Sequence, residues 1–66
     1  MKELIEAGIA NNPNAKVVRM NLDMLKLMRA EGLTEINHAL QFEQVKATLI
    51  RIEIIPGLPD GKIIME

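Results

Sequence analysis

Sixty-six residues, nine acidic against eight basic side chains and a net charge of −1 leave room for one small domain and give no global basic field. The absence of cysteine excludes a disulfide framework, a thiolate zinc site and a cysteine nucleophile, and a single histidine, His38, excludes a multi-histidine metal site. Apolar residues at 48% and charged residues at 26% are ordinary for a globular chain. Phe42 is the only aromatic, so the core must be aliphatic and no aromatic platform for stacking bases exists.

In chain order, residues 2–10 predict a short helix with Leu4, Ile5 and Ile9 on one face and Glu3 and Glu6 near its favourable N-terminal end. Gly8 weakens it by roughly 1 kcal/mol relative to alanine, so the segment is expected either docked or frayed. The NNPN stretch, residues 11–14, is a break: Pro13 lacks an amide donor and asparagines favour turns. Residues 16–22 alternate and predict a strand. Asp23 then offers a helix cap, strong helix formers follow, and Gly32 ends the helix. Thr34 is expected to cap a further helix over TEINHALQFEQ, with Ile36, Ala39 and Leu40 on one face. From residue 46 to 55 the period moves toward two and β-branched residues accumulate, which predicts a strand. PGLPDG, residues 56–61, is dense turn chemistry, and KIIME returns as a strand. Residues 46–66 thus read as a β-hairpin, and the chain as a single α+β domain over 1–66 in the order α-β-α-α-β-β.

Enzymatic chemistry finds no purchase in these residues. Serine is absent, and Glu35 and Asn37 beside His38 point in different directions on a helix, so neither would orient its ring. Asp23, Glu31, Glu35 and Glu43 have no paired-carboxylate or metal-ligand spacing, and PGLPDG lacks the lysine and following helix of a phosphate loop. No cofactor or metal is expected. No run approaches 18 apolar residues, which predicts no transmembrane helix, and the N-terminus lacks a basic-then-apolar signal pattern, so the chain is expected in the cytoplasm and off the membrane.

Binding is the remaining class. Met24, Leu25, Leu27 and Met28 spread over more than half of a short helix, more than one such helix would bury in a monomer. Thioethers repack around varied partners, so Met24, Leu27 and Met28 are the candidate protein interface, with a core role as the alternative for the methionines. The Ile-rich C-terminal segment is expected to present edges that another chain would pair with or cover. The expectation is a non-enzymatic module that self-associates, a dimer being favoured, and docks on another protein as a regulator or inhibitor.

Nucleic acid is the rival partner. The stretch KVVRMNL, then DMLKLMRAEG, then LTEINHAL resembles the ribbon-helix-helix family, in which two chains pair their strands and the ribbon enters the major groove. That resemblance implies a dimeric DNA-binding regulator with Lys16 or Val17, Arg19 and Asn21 facing bases, and arginine and asparagine are the usual readers of guanine and adenine. A winged helix-turn-helix is a further reading, with QFEQVKATLIR as recognition helix, Lys46 and Arg51 on phosphates and PGLPDG as wing tip.

Overall fold

The computed structural model describes residues 1–66 as two helices against one five-stranded mixed sheet. Helix α1 spans Lys2–Asn11, strand β1 Val17–Met20, helix α2 Leu22–Ala30, and strands β2 to β5 span Thr34–Asn37, Phe42–Val45, Arg51–Ile54 and Ile64–Met65. Their spatial order is β2-β3-β4-β1-β5. β1 runs parallel to β4, with Val18 opposite Ile52 and Met20 opposite Ile54, and antiparallel to β5, with Val18 opposite Met65. β2 and β3 form an antiparallel hairpin, and β3 joins β4 through the single pair Gln44 and Arg51.

Alternation on β1 sets the two faces of the sheet. Val18 and Met20 point toward the helices and are fully buried, whereas Arg19 points to the open face. Ile5 from α1, Met24, Leu25 and Met28 from α2, and Val45 and Ile50 from the sheet side complete one cluster around them, so both helices cover the same face. Gly8 lets α1 lie close to the sheet: a β-carbon there would meet Met65 at 3.0 Å and Ile63 at 3.2 Å. The predicted first helix is therefore docked, and its glycine is a contact point with β5.

Other elements depart from the sequence expectation. Residues 34–45 form a hairpin instead of a helix. Thr34 opens a strand rather than capping a helix, and the chain reverses over 38–41, where Asn37 Oδ1 accepts the Leu40 amide at 2.9 Å and Gln41 takes a positive φ of 61°. That turn uses neither glycine nor proline, and its one turn-favouring residue, Asn37, sits among good helix formers. The predicted 46–55 strand shortens to Arg51–Ile54, because Ala47 turns at φ 61° and Thr48 Oγ1 donates to the Val45 carbonyl at 2.7 Å. The C-terminal hairpin is also corrected: β4 and β5 do not pair, since β1 lies between them. PGLPDG is a crossover loop over the start of α2, and the order is α-β-α-β-β-β-β.

Candidate functional site

Strand β1 and the residues flanking it carry the positions singled out for DNA, Lys16 before it, Arg19 within it and Asn21 after it. Asn21, not Asp23, caps α2: its Oδ1 accepts the Met24 amide at 2.9 Å. Its Nδ2 donates to the Leu58 carbonyl at 3.1 Å and to Asp60 Oδ1 at 2.7 Å. A buried side chain with its oxygen and both amide hydrogens engaged latches the crossover loop to the helix and has no edge to offer a base. Arg19 lies on the open face between two carboxylates, its Nε 3.2 Å from Glu53 and one terminal nitrogen 3.1 Å from Glu66. Those hydrogen bonds, Glu66 first, raise its pKa further and hold the guanidinium charged. Glu53 in turn is held below the usual carboxylate range by Arg51 and then Arg19. Lys16 is exposed just before β1, where its carbonyl accepts the Arg51 amide at 3.0 Å, and Val17 is buried.

The ribbon geometry itself is corrected by the pairing. Both sides of β1 are occupied, by β4 and by β5, so a second chain's β1 has no free backbone to meet. The second helix of the ribbon family is replaced by the β2–β3 hairpin, and the recognition helix of the winged reading by β3, a turn and β4.

Helix α2 divides the three candidate interface residues. Met24 is 2% exposed and Met28 fully buried, both within the core cluster, and the Gly61 amide donates to the Met24 sulfur at 3.1 Å. They are core, because α1 and the crossover loop supply the apolar cover that one helix on its own lacks. Leu27 alone of the three faces out, at 54% exposure.

The free backbone of the sheet lies at its two outer strands. β5 is two residues long, with Met65 packed against Gly8 of α1. β2 is four residues long and carries the more open edge. The Lys46 amide donates to the Leu33 carbonyl at 2.9 Å, and antiparallel pairing alternates from there. Glu35 and Asn37 therefore turn their backbone groups toward β3, while Thr34 and Ile36 turn theirs outward. The same parity appears across β3, where the Val45 amide points to β4 and donates to the Ile50 carbonyl at 2.9 Å.

Side chains around that edge are sorted by charge. On the open face Gln44, itself buried, accepts from Asn37 Nδ2 at 3.1 Å and donates to Glu35 Oε1 at 2.8 Å. The same Glu35 oxygen takes the Ala47 amide at 2.8 Å, which rewards the strained φ of Ala47 with a partner. Gln44 first, the Ala47 amide next and the charge of Lys46 lower the Glu35 pKa. On the helix face Arg29 holds Glu43 with two nitrogens, at 3.0 and 2.7 Å, tying the end of α2 to β3 and lowering the Glu43 pKa. Ile36 lies on that helix face at 54% exposure, and Leu40 at the hairpin tip is 59% exposed. The sequence names both residues as apolar but assigns them to a helix face; only the strand register turns Ile36 into an edge residue.

Concave surface is limited. An open groove of about 290 Å³ runs between α1 and the end of β3, lined by Ile5, Ile9, Leu33 and Val45 with Lys2, Glu6 and Lys46. No group of three or more His, Cys, Asp or Glu side chains gathers in a metal-holding arrangement, and no helix is long and apolar enough to cross a membrane. Comparison with protein-family models, with curated proteins and with solved structures finds no match for the chain.

Proposed function

We propose that the chain is a small non-enzymatic binding module that engages another protein by accepting an extended segment along β2. The observation that supports this is the state of the β2 edge. It exposes unpaired backbone at Thr34 and Ile36, sets a bare isoleucine beside them, and its one charged side chain, Glu35, is engaged inward. Outer strands usually carry a protecting charge, a proline or a bulge, because unpaired amides and carbonyls recruit strands. An incoming segment would gain main-chain hydrogen bonds from the edge and an apolar contact from Ile36, with Leu40 at the hairpin tip flanking one end.

The test is a selection of peptides from a random library against the immobilised chain, followed by NMR titration of the winners. Bound peptides are expected to shift the amide resonances of Thr34–Asn37 and to lose binding on Ile36→Lys. A selection without binders, or binders that shift amides elsewhere and ignore Ile36→Lys, overturns the reading.

A further inference from the structure

We infer that the segment received by β2 is the β2 strand of a second copy, joined antiparallel about a two-fold axis at Ile36. This rests on the reading of β2 as a strand-accepting edge and names its occupant. A two-fold pairing is self-complementary, so one surface supplies both halves of the seam.

Charge selects the register. The outward backbone groups belong to Thr34 and Ile36; pairing Thr34 on Thr34 would set Ile36 against the left-handed Gly32, at φ 71°, which leaves two antiparallel registers that bring outward groups together. In one, Thr34 lies opposite Ile36 of the other copy and Glu35 opposite its own equivalent. That sets two carboxylates directly across from each other on the open face, and like charges in that position are destabilising. In the other, Ile36 meets Ile36, Glu35 lies opposite Asn37, and Thr34 lies opposite His38 at the start of the hairpin turn. Asn37 Nδ2 spends one hydrogen on Gln44 and keeps a second for a carboxylate, while Glu35 accepts its internal bonds on Oε1 and keeps Oε2. The second register thus exchanges a repulsion for two symmetric amide-to-carboxylate contacts and buries the exposed isoleucine pair. Because the axis stands perpendicular to the sheet, the result is one continuous ten-stranded sheet with all four helices on the same face.

A seam of four residues a side is short beside the ~1,200–2,000 Å² of a standard stable interface, so the dimer is concentration-dependent. Light scattering over a dilution series is expected to show the mass rising from one chain toward two, with Ile36→Lys fixed at one. The absence of native cysteine allows the register to be read directly. Under mild oxidation Ile36→Cys is expected to cross-link, since its equivalent sits directly opposite. Thr34→Cys is expected not to, because its equivalent is displaced four residues along the strand, roughly 13 Å and beyond disulfide reach. A mass that stays at one chain throughout, or cross-linking of Thr34→Cys as readily as Ile36→Cys, overturns the inference. If library peptides still dock on β2 while the mass stays at one chain, the edge reading stands and only the second copy is lost as its occupant; if both fail, the edge reading falls too.

Discussion

The half of the molecule built on β1, β4 and α2 and the half built on the β2–β3 hairpin differ in how their strands are paired and where their apolar side chains face. Around β1 the large side chains are sealed: Val18, Met20 and Met28 have no exposed surface, and the strand is paired on both sides. Around β2 the polar side chains are tied down as Asn21 and Arg19 are, through the Asn37, Gln44 and Glu35 chain, but Ile36 and Leu40 face water and the outer side of the strand is unpaired. A chain of this size has a limited core to spend on stability. The contrast indicates that stability resides around β1; apolar side chains are exposed elsewhere too, at Leu22 and Leu27 of α2 and at Leu49, but the hairpin is where one stands beside unpaired backbone.

That division is broken most severely from within the core. Met20→Ala and Met28→Ala each remove a fully buried side chain from the one cluster the fold possesses. Each is expected to cost about 2–5 kcal/mol, comparable with the whole stability of a domain this small, so denaturant unfolding should show either variant largely unfolded in buffer. Retention of a near-normal midpoint would show that the cluster repacks and is not the seat of stability.

Asn21→Ala comes next. It removes the α2 cap and frees the 55–63 loop from the helix, with an expected loss of about 1–2 kcal/mol and increased amide exchange at Gly61. Asn21→Ser separates the two roles, because a hydroxyl restores the cap and does not reach both loop acceptors. Recovery of stability without recovery of Gly61 protection is the expected pattern, and an Asn21→Ala midpoint equal to wild type would contradict the latch.

Acid acts on the hairpin and on the open face together. Glu35, Glu43 and Glu53 all have folded pKa values below the ordinary carboxylate value, held there first by Gln44, by Arg29 and by Arg51 respectively. Each therefore contributes stability that is complete above the unfolded carboxylate pKa of about 4.3 and is lost as pH falls through the lower folded value. Thermal midpoints recorded from pH 7 downward should be flat to near that pH and then fall, and Glu43→Gln should make the fall shallower. A midpoint that rises on acidification would contradict these pairings.

The smallest effect on stability is expected at Ile36→Lys, within about 0.5 kcal/mol of wild type, because the side chain is already exposed. Its effect on association should be large. A marked loss of stability in monomeric protein would mean that Ile36 belongs to the core after all.

Much of the sealed half is written in local sequence. The alternation of residues 16–22 and the strong helix formers ended by Gly32 locate β1 and α2 to within two residues, and Gly32 adopts the positive φ of 71° expected of a helix-ending glycine. The cap was off by two positions because Asp23 and Asn21 are both good caps, and only the packing of the crossover loop selects Asn21. The hairpin half is poorly written. TEINHALQFEQ contains no glycine or proline, carries good helix formers, and turns only because Asn37 bonds Leu40 and Gln41 accepts a left-handed backbone. Insertion of β1 between β4 and β5 leaves no local trace either, since PGLPDG suits a tight turn as well as a crossover. The edge on β2 follows from both features, which is why the sequence points to the methionines of α2 for an interface and the structure points to Ile36.

The most direct test of an open, strand-accepting β2 is residue-resolved hydrogen exchange at low and high protein concentration. Glu35 and Asn37, whose amides face β3, should be protected at both, whereas Thr34 and Ile36 should exchange fast in dilute solution and slow down as concentration rises. Equal protection of all four amides in dilute protein would contradict the account, whereas fast exchange of Thr34 and Ile36 at every concentration would remove the second copy as occupant of the edge.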